Sequence, residues 1–416
     1  MAKRKTNSLS RRNFIKTAGA FGVGSMLSPL NSLTIAQTQF ESIATRSNVV
    51  PTRPFGKTGV DVPILGLGEA FGCTSNLLLN QAIKMGVCLW DTAAAYAGGN
   101  SERAIGKYFS KFPEDRPKIF LVTKSSATCA NLWSKDLAKS LERMNTSYVD
   151  LFLIQMVCEA ENLGLPAEKA ELWAAKAKSE KKIRFFGFST HKHMEQNLVH
   201  ASKLDWIDGL MFSYNFRVMR SANMQAAVDA CTKAGIGLIA IKTQAARWYG
   251  QSNKDAIDAN EKALLDQLLK KGLTIEQAKL KAVWDDRRIA SIASIMKNMT
   301  ILQANVAAAA DNRKLSMRDK QLLDQYARRT ASFYCAGCAS ICEAEINSEV
   351  PISDVMRFLM YARCYGDLAG AKTQFNDLSS KVRKRMADID YKEAEQKCPQ
   401  GMDIGRLMQE AATELA

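Results

Sequence analysis

The chain has 416 residues, 47% of them hydrophobic and 24% charged, which excludes a disordered or fibrous polymer and leaves room for one large domain and a smaller one. Its formal charge of +15 suggests nucleic acid, but residues 1–36 carry six basic side chains and no acid, and without them the charge is +9. The remaining Lys and Arg alternate with Asp and Glu in segments such as LAKSLERM and EKALLDQLLKK, the pattern of solvated helix faces, so no nucleic-acid partner is expected.

The first expected element is an address. SRRNFIK, Ser10 to Lys16, has the form of a twin-arginine export signal, and it follows a basic start. The run after it, TAGAFGVGSMLSPL, is too short and too weakly apolar for a spanning helix. The signal is placed at residues 1–36, and small residues at Ala36 or Ala44 offer ends for it. The expectation is a periplasmic protein with no integral membrane span once the signal is removed. This route carries proteins already folded, usually around an inserted cofactor.

From Val50 to about Asn312 short apolar strands alternate with amphipathic helices. The strand candidates are PILGLG (63–68), VCLWDTA (87–93), KIFLVTK (118–124), YVDLFLI (148–154), IRFFGFS (183–189), DGLMFSYN (208–215), IGLIAIKT (236–243) and IASIASI (289–295). Continuous apolar strands, each followed by a helix, mean a parallel sheet covered on both faces. Eight such units over about 260 residues predict an α/β fold of the (β/α)8 TIM-barrel type across 50–315, with its chemistry at the carboxyl ends of the strands.

At those ends stand Asp91, Tyr96, Lys124 and Gln155. The segments RPFGKTGVDVPILGLG, GVCLWDTAAAYAGGNSERAIGKYF, FLVTK, YVDLFLI, EKKIRFFGFST and ILQANVAAA resemble the aldo/keto reductases. The second is the most specific, because it fixes Asp, Tyr, Gly-Asn-Ser-Glu and a closing Gly in register. The resemblance implies that Tyr96 donates a proton to a substrate oxygen while NAD(P)H delivers hydride to the carbonyl carbon, with Lys124 and Asp91 lowering the tyrosine pKa. The physical logic is independent of the family: a phenol titrates near ~10, and a nearby ammonium favours its ionised form.

Two departures stand out. The family's fourth residue is a histidine, and Gln155 stands there; glutamine can donate a hydrogen bond but cannot relay a proton. The three histidines, His191, His193 and His200, lie after the fifth barrel strand and read as structural, although His191 can reach the barrel mouth. In the family a glycine-containing loop after strand eight, leading to an Asn about ten residues on, holds a cofactor phosphate. Counting back from Asn305, Ile295 takes the glycine position, where a branched side chain impedes close approach to a phosphate. Ser189, Thr190, Lys242, Lys297 and Asn305 remain the expected contacts of an NADP(H) cofactor.

Five of the ten cysteines fall between Cys335 and Cys398. Cys335, Cys338 and Cys342 form C-x2-C-x3-C, and Cys398 precedes Pro399. Such a run with a distant Cys-Pro is how ferredoxin-like domains ligate a [4Fe–4S] cluster, and residues 330–416 resemble the ferredoxin-like tails of some exported aldo/keto reductases. Ile346 stands where a first full motif would end in Cys-Pro. Four thiolates for one cluster is the simplest count, with Cys364 in reserve. A four-cysteine zinc site and disulfides stay open as alternatives. The whole reads as a TIM barrel followed by a smaller α-rich ferredoxin-like domain. Its expected work is that of an exported oxidoreductase coupling a carbonyl/nicotinamide site to an iron–sulfur cluster, with a small carbonyl substrate or a redox partner protein. The alternative is a catalytically silent barrel serving as a binding or assembly subunit.

Overall fold

A computed structural model describes residues 49–68, 75–158, 167–245 and 259–416; the expected signal segment 1–36 lies outside them. A short antiparallel hairpin comes first, β1 (Thr52–Pro54) with β2 (Asp61–Pro63). Eight parallel strands then close into a barrel: β3 (Leu65–Gly68), β4 (Leu89–Asp91), β5 (Phe120–Ser125), β6 (Val149–Ile154), β7 (Ile183–Thr190), β8 (Gly209–Ser213), β9 (Gly237–Ile241) and β10 (Ser291–Ser294). Each overlaps one of the eight candidates read from the sequence. β5 and β6 are buried at every position, FLVTKS and VDLFLI. A barrel strand has helices outside and packed side chains inside, so neither face needs polar residues.

The core divides accordingly. Outside the barrel, Trp90, Trp133, Phe152 and Phe186 pack under the helices. Inside it, Leu89, Phe120, Val122, Leu151, Leu153, Met211 and Ile239 fill the bore with Phe55. Phe55 follows β1 in the loop of the hairpin, is fully buried, and meets Phe120 edge-on at 5.2 Å between ring centroids. A Cβ added at Gly209 or Gly237 would lie 2.5–2.6 Å from the Phe55 ring, so these two strand-start glycines make room for it. The hairpin thus plugs the amino end of the barrel and leaves the carboxyl ends for chemistry.

After β10 the described chain is helical. Helix Met317–Arg329 begins with a capping box in which Ser316 and Asp319 satisfy each other's backbone N–H groups. Longer elements follow at Ile352–Met360, Leu368–Asp377 and Ile404–Glu414, with a π-helical turn at Tyr361–Tyr365. From Asn48 to Ala416 the barrel and these helices form one compact unit. Asn215 Nδ2 donates to the Tyr334 hydroxyl (2.8 Å), Arg217 donates to Ala327 O (2.9 Å) and Thr330 Oγ1 (2.6 Å), and Lys192 pairs with Glu343 at 2.8 Å. Among the described residues no helix is long and apolar enough to cross a membrane.

The plug yields a stability prediction. Phe55→Ala should lower unfolding free energy by about 3–5 kcal/mol, the range for truncating a buried Phe with incomplete collapse of the cavity. Chemical denaturation of the two proteins checks it, and an unchanged midpoint would show that the bore does not depend on this ring.

Candidate functional site

The carboxyl ends of β4 and β5 bring three expected residues together. Lys124 is 2% exposed and its ammonium donates to Asp91 Oδ1 (2.5 Å), Thr92 O (2.8 Å) and the Tyr96 hydroxyl (3.2 Å). Three donors meet three acceptors, so the ammonium is held in one position. Burial pushes the Asp91 carboxyl above its ordinary pKa, and the charge and hydrogen bond of Lys124 oppose that shift. Tyr96 thus accepts from a buried cation.

The loop carrying Tyr96 is built by the motif that follows. Ala97, Gly98 and Gly99 all adopt left-handed backbone conformations (φ 49°, 60° and 84°). For Ala97 this costs on the order of 1–2 kcal/mol, and the next helix, Asn100–Lys111, holds the loop against it. Ser101 shares a hydrogen bond with Thr92 (2.8 Å). Glu102, fully buried, accepts from Thr123 Oγ1 (2.6 Å) and Arg143 Nε (2.6 Å). The Gly-Asn-Ser-Glu signature therefore clamps the tyrosine loop to β5.

Tyr96 and Asp91 open on a cavity of about 870 Å³, whose wall also includes Gln155, His191, Lys242 and Ile295. Gln155 takes its expected place after β6, and its buried Oε1 has no hydrogen-bond partner. His191, read from the sequence as structural, lies on this wall as well, with Nδ1 at 3.0 Å from Ser213 Oγ. Burial holds its pKa well below the usual histidine value, and the charges of Lys242, Arg357 and Lys124 add to the shift, so the ring is neutral. Its position one residue beyond β7 was legible; that the C-terminal segment would close over it was not.

The expected cofactor contacts are dispersed. Ser189 Oγ accepts from Met156 N (3.0 Å), and Thr190 Oγ1 donates to Val157 O (2.8 Å), so both brace the loop after β6. Lys242 stands on the cavity wall with Nζ 4.7 Å over the Tyr361 ring. Lys297 donates to Tyr365 O (3.4 Å), and buried Asn305 donates to Ser294 Oγ (3.4 Å). The wall opposite is not barrel at all. Tyr361, Tyr365, Asp367, Thr373 and Asp377 supply it from the C-terminal segment.

The four expected cysteines of that segment line one apolar cavity with Pro399, Ile352, Met356 and Met402. Gly337 makes this possible in two ways. It has φ 79°, and a Cβ there would lie 2.4 Å from His191 O, so the loop between Cys335 and Cys338 rests directly on the end of β7. Burial raises the thiol pKa of Cys338 to about 11 and of Cys342 to about 12, with neighbouring thiols adding to each. None of the four is in a disulfide, and Cys364, exposed on the π turn, is not part of the lining. Among the described residues no three His, Cys, Asp or Glu side chains converge closely enough for a single ion. A mononuclear zinc site needs all four sulfurs within ~2.3 Å of one point. A cluster, with each thiolate on its own iron, needs them spread around a larger space.

A third cavity of about 30 Å³ lies between the two. It shares His191 and Lys242 with the large one, and Cys335, Ala336 and Ser353 with the cysteine cavity.

Comparison with known proteins agrees with this geometry. An L-galactose dehydrogenase from Arabidopsis thaliana is 23% identical over 310 residues, covering 66% of this chain and 92% of its own. The thermostable aldo-keto reductase Tm1743, solved with the inhibitor epalrestat, is 27% identical with a TM-score of 0.53, over 66% of this chain and 99% of its own. An aldo-keto reductase from Klebsiella pneumoniae, solved with NADPH, has the same fold at 21% identity and a TM-score of 0.54, over 67% and 95%. The model of the aldo/keto reductase family matches residues 74–325, and this chain is a member of that family.

Proposed function

We propose that the protein is an exported oxidoreductase in which a carbonyl-reducing barrel site is coupled to an iron–sulfur cluster held by Cys335, Cys338, Cys342 and Cys398. The observation that carries the reading is the chain of cavities: the Tyr96 cavity and the cysteine cavity are each one shared wall away from the small cavity between them. Electron transfer needs the two centres close, and Cys335 and His191 stand at the two ends of that short span.

In the barrel, NADP(H) would supply a hydride to the carbonyl carbon when bound. The protein's part is proton transfer and positioning. Tyr96 gives its hydroxyl proton to the carbonyl oxygen, and Lys124, itself fixed by Asp91, stabilises the phenolate left behind. Gln155 and the neutral His191 supply hydrogen bonds at the cavity wall. The residues around Tyr96 suit the nicotinamide end of the cofactor. The phosphate end is less well provided, since Ile295 lies on the wall, Lys297 is engaged by Tyr365 O, and Asp367 and Asp377 add negative charge. Those features favour the silent-barrel alternative; the three-bond lock on Lys124 favours chemistry, because a barrel without a reaction has no need of a buried cation aimed at a phenol.

Three experiments test the reading. Tyr96→Phe should lower carbonyl reduction by ~10²–10⁴-fold, the usual weight of a general acid; steady-state rates alike in both proteins would leave the silent barrel as the better account. Full-length protein purified without oxygen should be brown and carry about four irons per chain. Cys335→Ser and Cys398→Ser should lose that iron while Cys231→Ser, whose thiol is buried in the barrel core, keeps it; stoichiometric zinc without iron would replace the cluster by a single-ion site. Arg11→Lys with Arg12→Lys should leave the protein in the cytoplasm on cell fractionation, because the ammonium lacks the bidentate geometry of the guanidinium pair.

A further inference from the structure

A fourth cavity, of about 590 Å³, shares no lining residue with the three described above. Its walls come from the loop after β8, helix Ala222–Lys233, helix Ile275–Trp284 with the turn before β10, and helix Met317–Arg329. The volume lies within the roughly 300–1,000 Å³ of small-molecule sites. Phe216, Met219, Ala282 and Leu323 give it an apolar lining. Most of its polar side chains serve as braces. Arg288 donates to Asp286 Oδ1 (2.8 Å), Asp229 Oδ1 (2.6 Å) and Gln225 Oε1 (2.5 Å), which ties helix Ala222–Lys233 to the turn before β10. Lys320 Nζ stands 2.8 Å from Asp285 Oδ2, and Arg220 pairs with Asp324, so helix Met317–Arg329 is fixed to two other walls. Ion pairs on three sides thus hold the space open. Arg287 differs from these. It is exposed, and it is the one cation of the lining that makes no hydrogen bond or ion pair to another described residue. Behind it Arg53 is buried and donates to the backbone carbonyls of Trp284 (2.6 Å) and Ile289 (2.7 Å). Burial lowers the Arg53 pKa and the charge of Arg287 adds to the shift, while Asp286 and Asp285 oppose it.

We propose that this cavity binds a small amphipathic monocarboxylate, a medium-chain acid whose carboxylate meets Arg287 and whose apolar body lies against Phe216, Met219, Ala282 and Leu323. A planar guanidinium is suited to a carboxylate's paired oxygens. One unpaired cation answers one negative charge, and a second charge on the ligand would meet only groups already engaged with each other. The apolar lining favours a hydrocarbon body through the area it removes from water. The carboxylates of the lining, Asp285 and Asp286, each stand in an ion pair, so the site holds its ligand and does no acid or base chemistry on it. Neither the carbonyl reaction nor the cluster proposed above enters the inference.

The test is calorimetric titration of the full chain with octanoate, 1-octanol and octylamine. Octanoate should bind at one site per chain, roughly tenfold tighter than octanol, the worth of one charge-assisted hydrogen bond, and octylamine should be the weakest of the three. Added salt should narrow the gap between acid and alcohol, because Arg287 is exposed. Arg287→Gln, a surface change that the fold tolerates, should bring octanoate down to the level of octanol and leave octanol itself unchanged. Met219→Glu should weaken both, and Lys242→Met, at the barrel mouth, should alter neither. The proposal is overturned if octanoate does not bind at millimolar concentration, if octanol binds as tightly, or if Arg287→Gln leaves the octanoate affinity as it was. Loss of octanoate binding in Lys242→Met alone would move the site to the barrel mouth. A dimer that Arg287→Gln dissociates on sedimentation, with no octanoate bound to the parent chain, would make the cavity an interface between copies instead.

Discussion

A buried ammonium organises the barrel mouth. Lys124 lies 2% exposed at the end of β5, and an ion taken so far from water costs several kcal/mol unless its partners are close and well placed. Asp91, Thr92 O and Tyr96 meet that requirement, and each is held by something further out. Asp91 ends β4, paired in register with Val122 of β5. Tyr96 sits on a strained left-handed turn, and that turn persists because Glu102 is tied to Thr123 and Arg143 behind it. Loss of any of these ties would leave a charge unpaired in the barrel, so the cost of burying Lys124 keeps the tyrosine loop in place.

The second constraint is close approach. Gly337 brings the cysteine loop to within van der Waals contact of His191 O, a distance no side chain at that position would allow. Asn215 to Tyr334, Arg217 to Thr330 and Lys192 to Glu343 hold the same seam on either side. The large cavity is therefore a joint product of barrel and C-terminal helices. Arg363, bound to Glu410 and Glu414, fixes the π turn that carries Tyr361 and Tyr365 to the last helix, so the far end of the chain reaches the chemistry through one arginine.

The barrel was legible because its strands are apolar on both faces and its helices have one wet side, a contrast that survives in a single sequence. Asp91, Tyr96 and Lys124 were legible because strand ends fix where they point. The hairpin β1–β2 was not, since two three-residue strands containing Pro54 and Pro63 carry no periodicity, and Phe55 looks like any turn-flanking aromatic. His191 was legible as a residue able to reach the barrel mouth, but its neighbours Gly337 and Arg357 were not, since they are distant in sequence and meet it only when the C-terminal segment folds across the mouth. Ser189 and Thr190 stand at the expected strand end, where Ser189 Oγ accepts from Met156 N and Thr190 Oγ1 donates to Val157 O of the loop after β6.

The C-terminal wall also changes which molecules the cavity favours. Arg357 and Lys242 line the small cavity beside Cys335, Asp367 and Asp377 line the large one, and Lys297 is turned onto a backbone carbonyl. The phosphates of a dinucleotide in the large cavity would have to contend with the two carboxylates. The same segment that brings the cysteines to the barrel thus adds two carboxylates to the mouth. In the proposed scheme the cluster is a second carrier of electrons, one wall away from the cavity that those carboxylates line.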